Sequence, residues 1–366
     1  MRISSLRTWV ALLLALGLSG CPRPSPVPHR VVPRERADPR TTMRAHFIDV
    51  GQGDAILLEF PCAAMLVDLG AEKNEVFNGV DNLRDYLTAF FERRRDLDHT
   101  LELVAVTHPH FDHVQGVGLL VSPRSPFKVK HVITNGMETS SGGEEMKRLH
   151  AWTEVNGVHL RKLSLEQIPA RRGLSDAVID PIRCEAVDPE IQVVWSGPAV
   201  QPDDWSRFEY DNMNNLSMVL RVDFGQTSFL LMADLEEKGI DAILAHTAGT
   251  SLLDADVLKV GHHGSWNATS EELLAAVSPD IAVIMMGKPE REIPWSAWAY
   301  GHPRRNAVER LLRAVPVRRK PVVHVPVATR TKQFELMWIE RAVYATGWDG
   351  TVVIEATTTG KPHRVH

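Results

Sequence analysis

From Ala45 onward the chain alternates short apolar runs with glycine-rich or polar breaks. Ala45–Val50, Ala55–Phe60 and Ala63–Asp68 are strand-like, and Gly51-Gln52-Gly53-Asp54 separates the first two. Val80–Arg94 changes period, with Leu83, Tyr86, Leu87 and Phe90 on one side of a helix. Leu101–Thr107 is another apolar strand and stops at a histidine cluster; Val114–Leu120 starts the next helix. Val129–Thr134, Val158–Lys162, Ile191–Trp195, Met218–Phe224, Ser228–Met232, Val257–Val260 and Ile281–Met285 read as strands. Ser270–Val277 and Arg305–Ala314 read as helices, and Thr351–Ile354 as a closing strand. There is no internal repeat. Strands in groups with intervening helices predict a single-domain α/β sandwich.

The pattern before Ala45 is different. Arg2 and Arg7 flank a short basic start, an apolar stretch runs from Trp9 to Leu18, and Leu18-Ser19-Gly20-Cys21 follows. That order describes a secretory signal over residues 1–20. Its ending resembles the lipobox of bacterial lipoproteins, which implies acylation of Cys21. Pro22 rather than Asp stands after that cysteine, which in a cell with two membranes points to the outer one. Residues 21–42 hold six prolines and five arginines, an extended, semi-rigid tether. The expected domain is 43–366, outside the cytoplasm and held to a membrane by lipid.

Composition narrows the class. Apolar residues make up 44% of the 366 and charged residues 24%, which excludes a disordered chain. The longest apolar run is about ten residues against the roughly 20 a membrane span needs, so no transmembrane helix is predicted. The formal net charge is −5, and removing the arginine-rich tether makes the body more acidic still. A polyanionic substrate would therefore be held by a local patch, not by the overall field. The three cysteines exclude a disulfide scaffold. Beyond Cys21, it is open whether Cys62 and Cys184 pair or stay apart as small buried groups.

Among sixteen histidines, one cluster carries chemistry. Thr107-His108-Pro109-His110-Phe111-Asp112-His113 follows directly on a buried-type strand. Three imidazoles and a carboxylate at a strand end suit a zinc, iron or manganese ion. In an extended turn His108 and His110 point the same way, while Asp112 and His113 turn toward a second position. The competing reading is a solvated polar loop. His131, His150 and His159 lie elsewhere and read as structural.

His-x-His-x-Asp-His after an apolar strand resembles the signature of the metallo-β-lactamase superfamily. Leu66-Val67-Asp68-Leu69-Gly70, Met232-Ala233-Asp234 and Gly261-His262-His263-Gly264-Ser265 are similar to its later motifs, in order. The opening His46-Phe47-Ile48-Asp49-Val50-Gly51-Gln52-Gly53-Asp54 is similar to the extracytoplasmic domain of ComEC-type competence proteins. So are Asn215-x-Ser217, Leu258–Ser265, Tyr300-Gly301-His302-Pro303 and Gly347-Trp348-Asp349-Gly350. The resemblance implies an αββα metallo-β-lactamase-like sandwich and one or two divalent ions, zinc or manganese. It implies His108 and His110 at a first metal, Asp112, His113 and one of His262/His263 at a second, and Asp234 bridging. Asp54, Asp68, Asn215 and Ser217 would support the site. One departure stands out: many members carry a further histidine about 20 residues before the bridging aspartate, where this chain has Asp211-Asn212-Met213-Asn214-Asn215. That favours a harder ion or a single occupied position.

A bound ion acidifies its water and neutralises a phosphoryl or carbonyl oxygen. Asp112 would orient the attacking water, with Lys259 and His302 as further catalytic candidates at the oxyanion or leaving group. Gly301–Arg330 holds eight basic residues and one acid, Glu309, a stretch suited to phosphodiester backbones or merely a solvated face. Trp295 and Trp298, just upstream, are equally open as base-stacking or core residues. Three functions compete: an exported metal-dependent phosphodiesterase acting on DNA, a metal hydrolase of a small ester, lactone, lactam or phosphate, and a non-catalytic envelope binding protein. No protein partner is predicted.

Overall fold

The computed structural model describes residues 38–366. The expected signal, Cys21 and all but the end of the expected tether lie outside the described residues. The first strand begins at Thr42, one residue before the expected domain start.

Among the described residues, sixteen strands form three sheets. They are β1 (Thr42–Phe47), β2 (Ile56–Glu59), β3 (Ala64–Val67), β4 (Thr100–Val106), β5 (Lys128–Thr134), β6 (His159–Lys162), β7 (Glu190–Trp195) and β8 (Val219–Phe224). Then come β9 (Thr227–Leu231), β10 (Val257–Lys259), β11 (Ile281–Ile284), β12 (Arg318–Arg330), β13 (Gln333–Arg341), β14 (Val343–Ala345), β15 (Val352–Thr357) and β16 (His363–Arg364). One sheet has the order β16-β15-β1-β2-β3-β4-β5-β6, the second β14-β11-β10-β9-β8-β7, and β12 pairs β13 in a separate ribbon.

The alternation of side chains explains the layers. In β1 to β4, Met43, Ala45, Phe47, Ile56, Leu58, Met65, Val67, Leu103 and Ala105 face the second sheet. Their neighbours Leu57, Ala64, Leu66, Val104 and Val106 face outward into a second core, together with Leu83 and Leu87 of helix Gly79–Arg93 and Met146 and Leu149 of helix Gly143–Asn156. A strand buried on both faces reads as a continuous apolar run, as these do. On the far side of the second sheet, Ile240, Leu273, Val277, Val308 and Leu311 come from three more helices. The result is helix, sheet, sheet, helix, as expected.

Two register rules place the site. β3, β4, β5 and β6 are mutually parallel, as are β9, β10, β11 and β14. Parallel neighbours put their carboxyl ends at one edge, where open α/β sheets bind ligands. Asp68, His108, Asp234 and His262 all follow such ends.

Cys62, in the β2–β3 turn, and Cys184, in the long segment between β6 and β7, form a disulfide across 122 residues. It ties the crossing between the two sheets to the first of them. Closing a loop of that length stabilises by up to about 5 kcal/mol. Replacing both cysteines with serine is expected to lower the urea midpoint by a matching amount, and reductant to have no effect on that variant.

Several elements depart from the sequence reading. The helix expected from Val114 to Leu120 is two short turns, Phe111–Val114 and Gly118–Val121, broken where Gly116 N donates to Leu69 O at 2.7 Å. The helices Gly143–Asn156 and Glu237–His246 were unforeseen. So was the β12–β13 ribbon, which occupies the stretch read only as cationic. Among the described residues, no helix is long and apolar enough to cross a membrane.

Candidate metal centre

Backbone hydrogen bonds lock three loops together beneath the site. Asp54 N donates to Asp112 O at 2.9 Å, Gly70 N to Asp54 O at 2.7 Å, and Leu69 N to His113 O at 2.8 Å. A Cβ on Gly70 would lie 1.5 Å from Asp112 O, so only glycine permits this approach. The histidine loop is thus held by its backbone, independently of what its side chains bind.

Those side chains converge. His108 Nε2 lies 3.1 Å from His110 Nδ1. His113 Nε2 and His263 Nε2 each lie 3.2 Å from Asp234 Oδ2, and His263 Nε2 lies 3.3 Å from Asp112 Oδ2. His262 Nε2 stands 3.9 Å from Asp234 Oδ2. One atom each from Asp54, His113, Asp234 and His263 falls within 4.8 Å of the others, and all four residues are buried. Asp54 lies on the Nδ1 side of both rings, 3.5 Å from His263 and 4.0 Å from His113.

His113 and His263 are each aimed by a second partner, as metal-ligating histidines are. Asp68, in a left-handed backbone, accepts from His113 Nδ1 at 2.7 Å, from Thr107 N at 2.8 Å and from Thr107 Oγ1 at 2.8 Å. His263 Nδ1 donates to Met285 O at 2.7 Å, turning Nε2 to the cluster. His262 Nδ1 meets Glu236 Oε1 at 2.7 Å. His262 and His263 both adopt left-handed backbone, φ 39° and 53°, and so project from one tight turn to different places. Such strain gathers at functional sites.

The charges are strongly coupled. Burial opposes the charged form of His113 and of His263, but Asp234 foremost outweighs it, raising His113 well above its ordinary value and His263 to about 10. Burial and the neighbouring His113 and His110 hold His108 neutral. Burial likewise pushes Asp234 up, yet His263, His113 and His262 bring it well below the usual carboxylate range. Among hydrogen-bonding atoms, His113 Nε2, Asp54 Oδ1 and Asp234 Oδ1 are buried with no hydrogen-bond partner. His113 Nε2, without a hydrogen-bond partner and like His263 Nε2 3.2 Å from Asp234 Oδ2, completes a buried nitrogen and carboxylate set that fits a divalent cation.

Lys259 takes a different place from the one expected. Its side chain is fully enclosed; Nζ donates to Ala233 O at 2.6 Å, pairs with Asp54 and lies 3.5 Å from Asp234 Oδ1. It has no exposed surface and does not line the cavity above, so it braces two carboxylates from below instead of touching an oxyanion. Burial resists its charge, but Asp54 and Asp234 hold the ammonium above its usual range.

Above the cluster opens a cavity of about 570 Å³, lined by His110, Asp112, Asp234, His262, His263 and His302 among others. Asp112 keeps an exposed edge there. His302 is nearly buried, its ring 5.3 Å from that of His262. Gln52 Nε2 contacts His302 Nδ1 at 3.1 Å, and Gln52 Oε1 accepts from Gly287 N, which fixes the amide's orientation. Burial first, then His262 and His263, keep His302 uncharged. Its proton therefore sits on Nε2.

Three residues at the site were missed. Asn214, exactly in the stretch lacking a histidine, lines the cavity and donates to Glu236 Oε1 at 2.9 Å; its Oδ1 is buried without a hydrogen-bond partner. Glu236 gathers Asn212, Asn214 and His262, and its carboxylate is held below the usual range despite burial. Gln52 orients His302. An acid two positions after Asp234 was the available signal for Glu236. Asn215 instead ties its loop down, donating to Glu209 O and accepting from Gly239 N, and the Ser217 hydroxyl is buried without a hydrogen-bond partner.

The basic stretch does not form a patch at the cavity. Arg319 is buried against Asp349, Arg305 pairs with Glu309 and Glu335, Arg313 with Glu271, and Arg318 with Glu340. Acids distant in sequence supply the partners, which a linear count does not reveal. Lys73 is the one lysine or arginine among the cavity-lining residues.

The metallo-beta-lactamase superfamily model matches residues 48–288. The chain belongs to that superfamily. ComE operon protein 3 of Bacillus subtilis is 29% identical over 280 residues, covering 73% of this chain and 30% of that protein. Recombination protein 2 of Haemophilus influenzae is 44% identical over 89 residues, covering 24% of this chain and 10% of that protein. The chain thus spans about a third or less of the length of these relatives. The metallo-beta-lactamase fold protein YhfI of Bacillus subtilis matches 66% of this chain and 85% of its own, at 10% identity and a TM-score of 0.36. Strand ends from both sheets supply the buried cluster that could hold a metal ion, and ComE operon protein 3 matches most of the chain.

Proposed function

We propose that the protein is a metal-dependent phosphodiesterase acting on DNA, carried outside the cytoplasm on a lipid anchor. The observation that carries the chemistry is the buried Asp54–His113–Asp234–His263 cluster at the floor of an open cavity. A divalent ion held there would supply a water acidified into the neutral range and would neutralise phosphoryl oxygens. His108 and His110 lie beside the cluster and extend the donor set toward a second position. Asp112, charged and partly exposed, can hold a proton at its carboxylate as the attacking water is oriented. His302, neutral with its proton on Nε2, can donate to a phosphoryl or leaving-group oxygen. Asp234 and Lys259 stay buried and keep the cluster's charges balanced.

DNA as substrate is supported by the relatives, whose names are those of competence and recombination proteins. Export is supported by the signal-like start and by the Cys62–Cys184 disulfide, a bond that persists in oxidising compartments. A small phosphate or acyl substrate is the second reading, favoured by one observation: four of the seven arginines of 301–330 are paired with acids, and none of the seven lines the cavity.

Hydrolysis of bis(p-nitrophenyl) phosphate and of an oligonucleotide, each with added zinc or manganese and with chelator, tests the proposal. Metal-dependent cleavage of both, with oligonucleotide binding that weakens steeply with salt, is the expected result. Cleavage of acyl substrates alone would overturn it in favour of the second reading.

A further inference from the structure

Trp295 is exposed and held in a strained backbone conformation. Its φ is 63°, the left-handed region that a bulky side chain rarely adopts, and 69% of it is exposed. Strain of this kind costs on the order of 1–3 kcal/mol, and the exposed indole returns nothing to the core. The backbone around it is nonetheless well fixed. Ser296, fully buried, donates to Arg291 O and Ile293 O and accepts from Ala299 N. Arg291 pairs with Glu72 at 3.1 Å and lies over the Phe77 ring at 3.5 Å. A rigid loop therefore presents one free aromatic side chain.

What it faces is the reaction cavity. Trp295 lines it, as do Tyr300 and Phe111, which are 41% and 42% exposed. The Trp295 and Tyr300 ring centroids lie 6.5 Å apart, and Tyr300 stacks on His302 at 5.9 Å with planes 19° apart. Rings thus lead outward from the ligand cluster: His263, His302, Tyr300, Trp295. Trp298, by contrast, is partly covered and lies under Lys332 Nζ at 5.0 Å, so the two tryptophans left open by the sequence part company here.

We propose that Trp295, backed by Tyr300, is a stacking wall for an unpaired nucleobase adjacent to the phosphodiester at the metal centre. This deepens the phosphodiesterase reading and rests on it for the identity of the ligand. Aromatic faces take any base, and a base must leave its own stack to be received. The arrangement compensates for a cavity poor in cations, since stacking adds affinity where charge does not. Base contact then selects nucleic acid over simple phosphate esters.

The test is binding of two fluorescein-labelled six-residue single strands, one of thymidylates and one of abasic tetrahydrofuran units. Anisotropy is read with chelator present, so nothing is cleaved. The wild-type protein is expected to prefer the thymidylate strand at least about fivefold, the lower end of what one stacked base contributes. Trp295→Leu removes the preference and Trp295→Phe keeps most of it, with melting temperatures near wild type because the side chain is exposed. Equal binding of the two strands by wild type, binding of neither, or a preference that survives in Trp295→Leu overturns the inference. Cleavage is scored separately with metal added. A base preference without cleavage leaves the wall standing and removes the phosphodiesterase, whereas cleavage without base preference does the reverse.

Discussion

Asp234→Ala is expected to lose both the metal and at least about 10³-fold in phosphodiester cleavage, the scale on which a preorganised charged group acts. Asp234 Oδ2 is shared by His113 and His263 at 3.2 Å each, and Oδ1 lies 3.5 Å from Lys259. No neighbouring carboxylate replaces it in all three contacts. Without the aspartate, two imidazoles and an ammonium are left buried near one another with only Asp54, Asp68 and Asp112 to answer them. The sign of the pH effect follows for the wild type. In the metal-free protein His113 and His263 carry protons up to high pH, so metal binding must release them. Affinity is expected to rise from pH 6 to pH 9, and calorimetry in buffers of different ionisation enthalpy should register the proton release. An Asp234→Ala protein that keeps wild-type metal content would contradict this account of the cluster.

Lys259→Met is expected to destabilise the domain by about 3–5 kcal/mol, because it leaves Asp54 and Asp234 as uncompensated buried charges. The matching fall in melting temperature is on the order of 10 °C. A brace differs from a catalytic contact in how it can be rescued. Adding Asp54→Asn to Lys259→Met removes one of the stranded carboxylates and should recover at least about half of the loss, since residues in one ion-pair network are not additive. Added zinc or manganese should also raise the variant's melting temperature by more than it raises the wild type's, the ion supplying the missing positive charge. A loss below about 1 kcal/mol in the single variant would mean that Lys259 is not holding the carboxylates. A full-length stability with a lost rate would return it to the catalytic role that sequence suggested.

The strands were legible because most are buried on both faces and so stand out as continuous apolar runs. Leu101–Thr107 and Ile281–Met285 are examples, and their ends differ from β4 and β11 by one residue. Helix Gly143–Asn156 was not legible, because only Gly143, Met146, Leu149, His150 and Thr153 are buried among mostly polar neighbours. The ribbon was hidden for another reason. Pro326, Leu336 and Trp338 point outward, at least partly exposed, yet are apolar, so the alternation of buried and exposed positions is blurred in the sequence. Its charges drew attention to nucleic acid instead, although Arg319 and Asp349 form a buried pair.

At the site, residues adjacent in sequence were readable and residues joined only by folding were not. His108, His110, Asp112 and His113 announce themselves within one turn. Asp54 and Lys259 are 205 positions apart, and nothing in either local pattern says that they meet. Asn214 was visible only as a gap, since the eye for a metal site looks for an imidazole. It took the fold to place its amide between Glu236 and the cavity. Which of His262 and His263 joins the cluster was likewise decided by Met285, a strand away in sequence, whose carbonyl turns His263 inward.

The measurement closest to the central claim is the metal content of the purified protein. The wild type and a His113→Ala, Asp234→Ala double variant would be exposed to micromolar zinc or manganese, desalted, and analysed by inductively coupled plasma mass spectrometry. About one or two divalent ions per wild-type chain and fewer than about 0.1 in the variant is the predicted result. A wild-type protein that retains none, or a variant that retains as many, would contradict it.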